Sequence, residues 1–294
     1  MLPDTLVRHF HFRNGSVQLH AAEAGHADGA KVVLLHGFPE FWYGWRHQIG
    51  PLAAVGYHVV APDGRGYNQS DKPGRVQGYS LDKLVSDVVA LYEHLGGQPL
   101  HLVGHDWGGA VAWAVAGRYP EIVRRLVILN VPHPAVMQNF LLTHPRQLLR
   151  SWYMFFFQIR QLPERIMSAG HFAIARQALL YTSRPGTFTE ADLAHYEAAW
   201  SQPGAISGMI NWYRALASRP AMARIPESPV PTLILWGKQD AFLLRQLAEL
   251  SAKRCKNVDL VWFNNAAHWI QHEEADAVNE RLLDFLNPKT MPPA

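Results

Sequence analysis

Six consecutive residues carry the chemistry that stands out first in this chain: Gly104-His105-Asp106-Trp107-Gly108-Gly109. They follow the apolar run Leu100 to Val103 and lead into an alanine-rich stretch, which predicts a strand, a tight turn and a helix with Asp106 at the turn. A serine in such a place must lose a proton before it attacks. A carboxylate, with an ordinary pKa of about 3.9, is already ionised at neutral pH. It suits displacement at a saturated carbon, which leaves an alkyl ester on the protein. Glycine at 104, 108 and 109 fits a turn in which backbones come too close for a Cβ. A structural reading stands beside this one, because aspartate is also a favoured helix N-cap.

Three more features would complete a catalytic set if the fold gathered them. Asp240 follows Leu235-Trp236-Gly237-Lys238-Gln239, and His268 lies just beyond Val261-Trp262-Phe263. His36-Gly37-Phe38-Pro39 closes another apolar run. In open parallel sheets ligands bind at the carboxyl ends of the strands, so these features belong at one sheet edge. Each also has a plainer reading: Asp240 could be a loop or cap residue and His268 a solvated loop histidine.

The elements needed to hold them are legible. Val7 to Arg13 and Val17 to Ala24 are predicted strands joined by the hairpin turn Asn14-Gly15. Strands at 31–36, 57–61, 100–104 and 123–130 then alternate with helices at 42–55, 80–95 and 108–118. Continuous apolar strands separated by helices imply a mostly parallel sheet with helices on both faces. From Val131-Pro132-His133-Pro134 to about Met222 the pattern is helix after helix, rich in aromatics and punctuated by Pro163, Pro185 and Pro203. Alternation resumes with a strand near 231–236, a helix at 243–253, a strand at 258–263 and a helix at 275–285. The fold class is therefore α/β, with a core at 1–132 and 223–294 and a helical lid at 133–222 between two strands.

Composition narrows the partners. The 294 residues suffice for a sizeable core, and a single cysteine, Cys255, excludes an intrachain disulfide. The formal charge is +3, but the basic residues are scattered, so nucleic acid is not an expected partner. Sixteen histidines lack metal-ligand spacing: His268 and His272 stand four apart without an intervening glutamate pattern, while His9/His11 and His101/His105 fit strand positions, so no metal is expected. Met1-Leu2-Pro3-Asp4 shows no signal-peptide pattern, and no apolar run is long enough to span a bilayer, so the expectation is a soluble cytoplasmic protein, monomer or homodimer.

Taken in order along the chain, the motifs resemble those of an epoxide hydrolase of the α/β-hydrolase superfamily. They are His36-Gly37-Phe38-Pro39-Glu40 with Trp42 and Trp45-Arg46, Asp63-Gly64-Arg65-Gly66-Tyr67, the Asp106 elbow, Ser151-Trp152-Tyr153, Asn211-Trp212-Tyr213-Arg214, Trp236 to Asp240, and His268-Trp269 with Gln271-His272-Glu273. The resemblance implies that Asp106 opens the epoxide from behind while Tyr153 and Tyr213 hold and protonate its oxygen. It implies that His268, oriented by Asp240, activates the water that hydrolyses the ester, and that the N–H groups of Phe38 and Trp107 receive the oxyanion. Trp107, Phe38 and Trp152 would contact an apolar epoxide, water would be the co-substrate and no cofactor would be required. Pro39 would follow a cis bond. The sequence departs from the pattern at Ala267, where relatives often carry glycine before the histidine. A haloalkane dehalogenase would share the nucleophile but needs no proton for its leaving group, and a non-catalytic receptor on this fold would often lack a catalytic member. The paired tyrosines and the full set argue for the epoxide reading.

Overall fold

Asn14 and Gly15 turn the chain where expected, and the strands they join form one margin of the sheet. The computed structural model describes residues 7–216 and 224–287. Strands β1 (Arg8–Asn14) and β2 (Val17–Ala24) pair antiparallel with Asn14 opposite Val17, and Gly15 takes a positive φ of 59°. Next come β3 (Lys31–Leu35), helix α1 (Arg46–Ala54), β4 (His58–Pro62), α2 (Leu81–His94), β5 (Leu100–His105), α3 (Asp106–Arg118) and β6 (Val123–Leu129). Six helices follow: α4 (Pro134–Thr143), α5 (Pro145–Arg150), α6 (Trp152–Phe156), α7 (Leu162–Thr182), α8 (Glu190–Trp200) and α9 (Ala205–Leu216). The chain closes with β7 (Thr232–Gly237), α10 (Gln246–Ala252), β8 (Val258–Phe263), α11 (Ile270–Glu273) and α12 (Ala275–Leu286).

The eight strands lie in the order β1-β2-β4-β3-β5-β6-β7-β8, with β3 to β8 parallel and β2 antiparallel to β4. β4, β5 and β7 are buried throughout, His58 and His101 included, which explains why they read as largely apolar runs rather than alternating ones. Alternate residues still choose sides. Val32 and Leu34 pack with Trp45, Ile49 and Leu52 and with Val278 and Leu282 of α12, while Val33 and Leu35 join the core under α2 and α3. β3 has β4 on one side and β5 on the other, so the chain reverses its direction of travel across the sheet there. The loops leaving β3 and β5 bound the crevice that such a reversal creates.

Two helices differ from expectation. The predicted helix at 42–55 is a 3-10 turn over Trp42–Trp45 followed by α1. Pro163 marks a helix boundary, as expected: it lies in the first turn of α7, where its missing N–H has no helical partner to lose. α7 is broken further on, at Ala169 to Phe172, where Gly170, His171 and Phe172 all take positive φ. The insertion between β6 and β7 has its first helix, α4, starting at Pro134. Its predicted end at 222/223 lies outside the described residues, as does Met1-Leu2-Pro3-Asp4.

Candidate active site

Close approach shapes the elbow. Asp106 takes a φ of 48°, in the left-handed region that costs a residue with a Cβ, so the surroundings must impose it. A Cβ on Gly104 would lie 2.6 Å from Gly109 Cα, and one on Gly108 would lie 2.1 Å from the Leu35 carbonyl oxygen. A Cβ on Gly37 would lie 2.5 Å from Cβ of Asp106. The loops after β3 and β5 are thus pressed together, and the Phe38 N–H reaches Asp106 Oδ1 at 2.9 Å. The N-cap of α3 is His105, without a side-chain cap bond, so the Asp106 carboxyl does not serve as the helix cap. The Phe38-Pro39 peptide bond is cis.

The acid and the histidine meet this carboxylate from β7 and β8. His268 Nδ1 donates to Asp240 Oδ2 at 2.8 Å, and its Nε2 lies 3.6 Å from Asp106 Oδ2. Asp240 is fixed in turn: Oδ1 accepts the N–H groups of Phe242 (2.7 Å) and Leu243 (2.9 Å), and Oδ2 accepts Asn130 Nδ2 (2.6 Å). Burial alone would lower the pKa of His268, but Asp240 and Asp106 raise it to about 10. Burial alone would raise Asp106, but His268, then His105 and the Phe38 N–H, hold its carboxyl below the ordinary value. The resting site therefore pairs the Asp106 carboxylate with the His268 imidazolium. Loss of charge on Asp106 would remove one of the two anions that keep His268 protonated, making its imidazole available as a base.

The tyrosines come from the helical insertion. Tyr153 on α6 and Tyr213 on α9 stand edge to face with ring centres 5.8 Å apart. Both line a cavity of about 880 Å³, mouth included, whose wall also contains Asp106, His268, Phe38 and Trp152. Burial, and then the charge of Asp106, raises both phenols above their ordinary value, so they stay protonated. The Tyr213 ring packs on Phe38 (5.2 Å) and Trp107 (5.1 Å). Trp107 also meets Trp212, so its ring supports Tyr213 rather than forming the cavity wall. Trp152, 62% exposed, stands at the mouth. Ala267 makes no demand for glycine: its backbone is not in the left-handed region, its N–H donates to Glu273 and its carbonyl accepts from Asn130. Among the described residues no group of three or more His, Cys, Asp or Glu side chains is arranged to hold a metal ion.

Some supporting residues carry no sequence motif for their task. Asn130 links Asp240 to β7 through the Gly237 N–H (2.9 Å), and only its place just after β6 hints at this. Arg150 donates to the Asp240 carbonyl at 3.0 Å. Glu40 is buried and accepts from Tyr196 Oη (2.8 Å), His272 Nε2 (2.7 Å) and Gln271 Nε2 (3.0 Å). Burial would raise its carboxyl, yet His272 and His105 hold it well below the ordinary value. His105 Nε2 donates to the His268 carbonyl at 2.9 Å. Glu40 therefore ties the loop after β3, the insertion and the histidine loop together, a contact that only the fold brings about.

Comparison with known proteins gives this geometry a family. A family model described as alpha/beta hydrolase fold matches residues 31–275. The AB hydrolase superfamily protein YfhM of Bacillus subtilis is 43% identical over 270 residues, covering 92% of this chain and 94% of that protein. Mouse epoxide hydrolase 4 is 40% identical over 286 residues, covering 95% of this chain and 79% of the relative. The crystal structure of a Bacillus megaterium epoxide hydrolase in complex with an inhibitor superposes with a TM-score of 0.86 at 31% identity, covering 95% of this chain and all of that one. The chain belongs to the alpha/beta hydrolase family and, within it, to the epoxide hydrolases.

Proposed function

We propose that this protein converts an apolar epoxide and water to a vicinal diol through an ester on Asp106, with residues 133–222 serving as the cap over the reaction. The observation that carries the reading is the elbow carboxylate and the two phenols, of Tyr153 and Tyr213, lining one largely apolar cavity. Asp106 Oδ2 attacks one epoxide carbon, the carbon–oxygen bond breaks, and a phenol gives the departing oxygen its proton. An alkoxide is a poor leaving group without that proton; a halide needs none, which is why the paired tyrosines favour epoxide over haloalkane chemistry.

Ester formation neutralises Asp106, so the His268 imidazolium releases its proton, which restores the phenol that gave its own to the epoxide oxygen; the neutral imidazole then takes a proton from water, which attacks the ester carbon. Oδ1, already accepting from the Phe38 N–H, becomes the oxyanion, and the Trp107 N–H is its second donor. Collapse expels the alcohol and returns the carboxylate, with Asp240 balancing the imidazolium that forms. The walls around Phe38, Trp152 and Phe156 suit an apolar substrate.

Single turnover in heavy-oxygen water tests the path. Label should appear in the Asp106 carboxyl group, because water attacks the ester carbon rather than the epoxide. Label found only in the first-turnover diol would mean direct attack by water and would overturn the proposal. Asp106→Ala should fold and lose about 10⁴-fold or more in turnover.

A further inference from the structure

Large apolar side chains that face water are concentrated in one part of this molecule. Among the described residues, all the well-exposed ones except Val55 and Tyr119 fall between Leu142 and Tyr181, in the first half of the helical insertion. Leu148, Trp152, Phe155 and Ile159 recur at intervals of four, three and four, so they share the outer side of α5, α6 and the turn that follows. Gln147, Ser151 and Phe157 take the inner side and are buried. Phe155 is 57% exposed and Leu149 74%, values with no folding rationale for a helix packed on a core.

The charge of the same stretch has one sign. Residues 133–182 contain five arginines and a single acidic residue, Glu164. That glutamate is held by Arg214, and Arg176 is held by Glu190 and Glu197. Arg146 and Arg160 stand exposed at the two ends of the apolar stripe, with Arg165 just beyond. A second copy of the chain is a poor occupant, since a symmetric contact would set these arginines against themselves. An anionic lipid surface fits both properties: aromatic and aliphatic groups enter the boundary of the acyl chains while guanidinium groups meet phosphates. Trp152, exposed on this face, also lines the cavity, so the face lies at the cavity mouth.

We propose that the face made by α5, α6 and the start of α7 docks reversibly on anionic lipid, with the cavity mouth turned toward the acyl phase. No helix among the described residues is long and apolar enough to cross a membrane, so this association is interfacial. The proposal does not depend on the reaction at Asp106. It is tested by floating the full chain with phosphatidylcholine vesicles that contain or lack phosphatidylglycerol. The protein should float with the anionic vesicles, several-fold less with the neutral ones, and be released as salt is raised. Leu149→Glu with Phe155→Glu should cut flotation about tenfold or more, and Arg146→Glu with Arg160→Glu should do likewise, while melting temperatures stay near that of the wild type. Absence of flotation with anionic vesicles, or flotation equal in the wild type and both variants, would overturn the proposal. So would a dimer seen by sedimentation without lipid, lost in Leu149→Glu/Phe155→Glu, together with no vesicle binding.

Discussion

Asp106, at the start of α3, and Asp240 and His268, on loops, sit beyond the ends of β5, β7 and β8, whereas the two phenols hang from helices α6 and α9, and the two regions are built differently. At the sheet edge every reacting atom has a fixed neighbour. Backbone N–H groups aim two of the three side chains, and glycines at 37, 104 and 108 let the loops touch. The insertion is held to the core instead mostly through side chains, Tyr196 to Glu40, Asp192 to Arg46 and Arg150 to the Asp240 carbonyl among them. Trp200 Nε1 donates to the Pro39 carbonyl at 2.7 Å, Trp212 Nε1 to that of Arg65 at 2.9 Å, and Gln147 reaches the Phe242 carbonyl at 2.8 Å. Between these points it exposes apolar side chains, and α7 breaks at Gly170 next to the cavity wall. Charge chemistry needs fixed dipoles, so the rigid edge holds the anions and the base. Proton donation and substrate fit tolerate a wall that adapts, and the insertion supplies both.

The comparison can be broken from either side. Tyr153→Phe with Tyr213→Phe keeps both rings and removes both proton donors, so epoxide opening should fall by about 10²–10⁴ with little change in melting temperature. Retained epoxide turnover in this double variant would remove the insertion from the chemistry. Gly37→Ala attacks the edge: its methyl would lie 2.5 Å from Asp106 Cβ, and turnover should fall about 10²-fold as the nucleophile shifts. Wild-type rates there would show the edge to be less rigid than its packing implies. Trp200→Phe removes one anchor and leaves the Pro39 carbonyl without that donor, which should cost about 1–3 kcal/mol in denaturant unfolding.

Protonation tests the charge state of the edge. The pKa of His268 is raised from its ordinary 6.5 to about 10 in the folded protein, by Asp240 and Asp106 against the opposing effect of burial. A raised pKa contributes stability that is complete below the unfolded value and is lost as pH climbs through the folded one. The stability advantage of the wild type over His268→Gln should therefore shrink between pH 6.5 and about 10. An advantage that grew over that window would contradict the charge state assigned to the resting site.

The sequence reveals the edge better than the insertion for a physical reason. Asp106 follows the buried strand β5 directly, Asp240 comes three residues after the buried β7 and His268 five after the half-buried β8, and a strand's end can be read from the end of an apolar run. Asn130 also follows a strand, but its bond to Asp240 spans 110 residues, and nothing local announces it. Glu40 stood in a recognisable motif, yet its tie to Tyr196 exists only because the insertion folds back over the loop after β3. In the insertion, Tyr153 lies within an aromatic run whose inward and outward members share one composition; Phe157 is buried and Phe155 is exposed. Where both faces are apolar, periodicity cannot say which one meets the core. Pro163 marks the start of α7, while the break within it has only Gly170 as a sequence signal.

The division of labour between nucleophile and base is the central claim, and trapping the ester tests it most directly. Asp106 needs no base to attack, so His268→Gln, incubated with an epoxide that the wild type turns over, should gain the mass of one substrate on the peptide carrying Asp106 while diol release stalls. A correctly folded His268→Gln protein that forms no adduct would contradict the account.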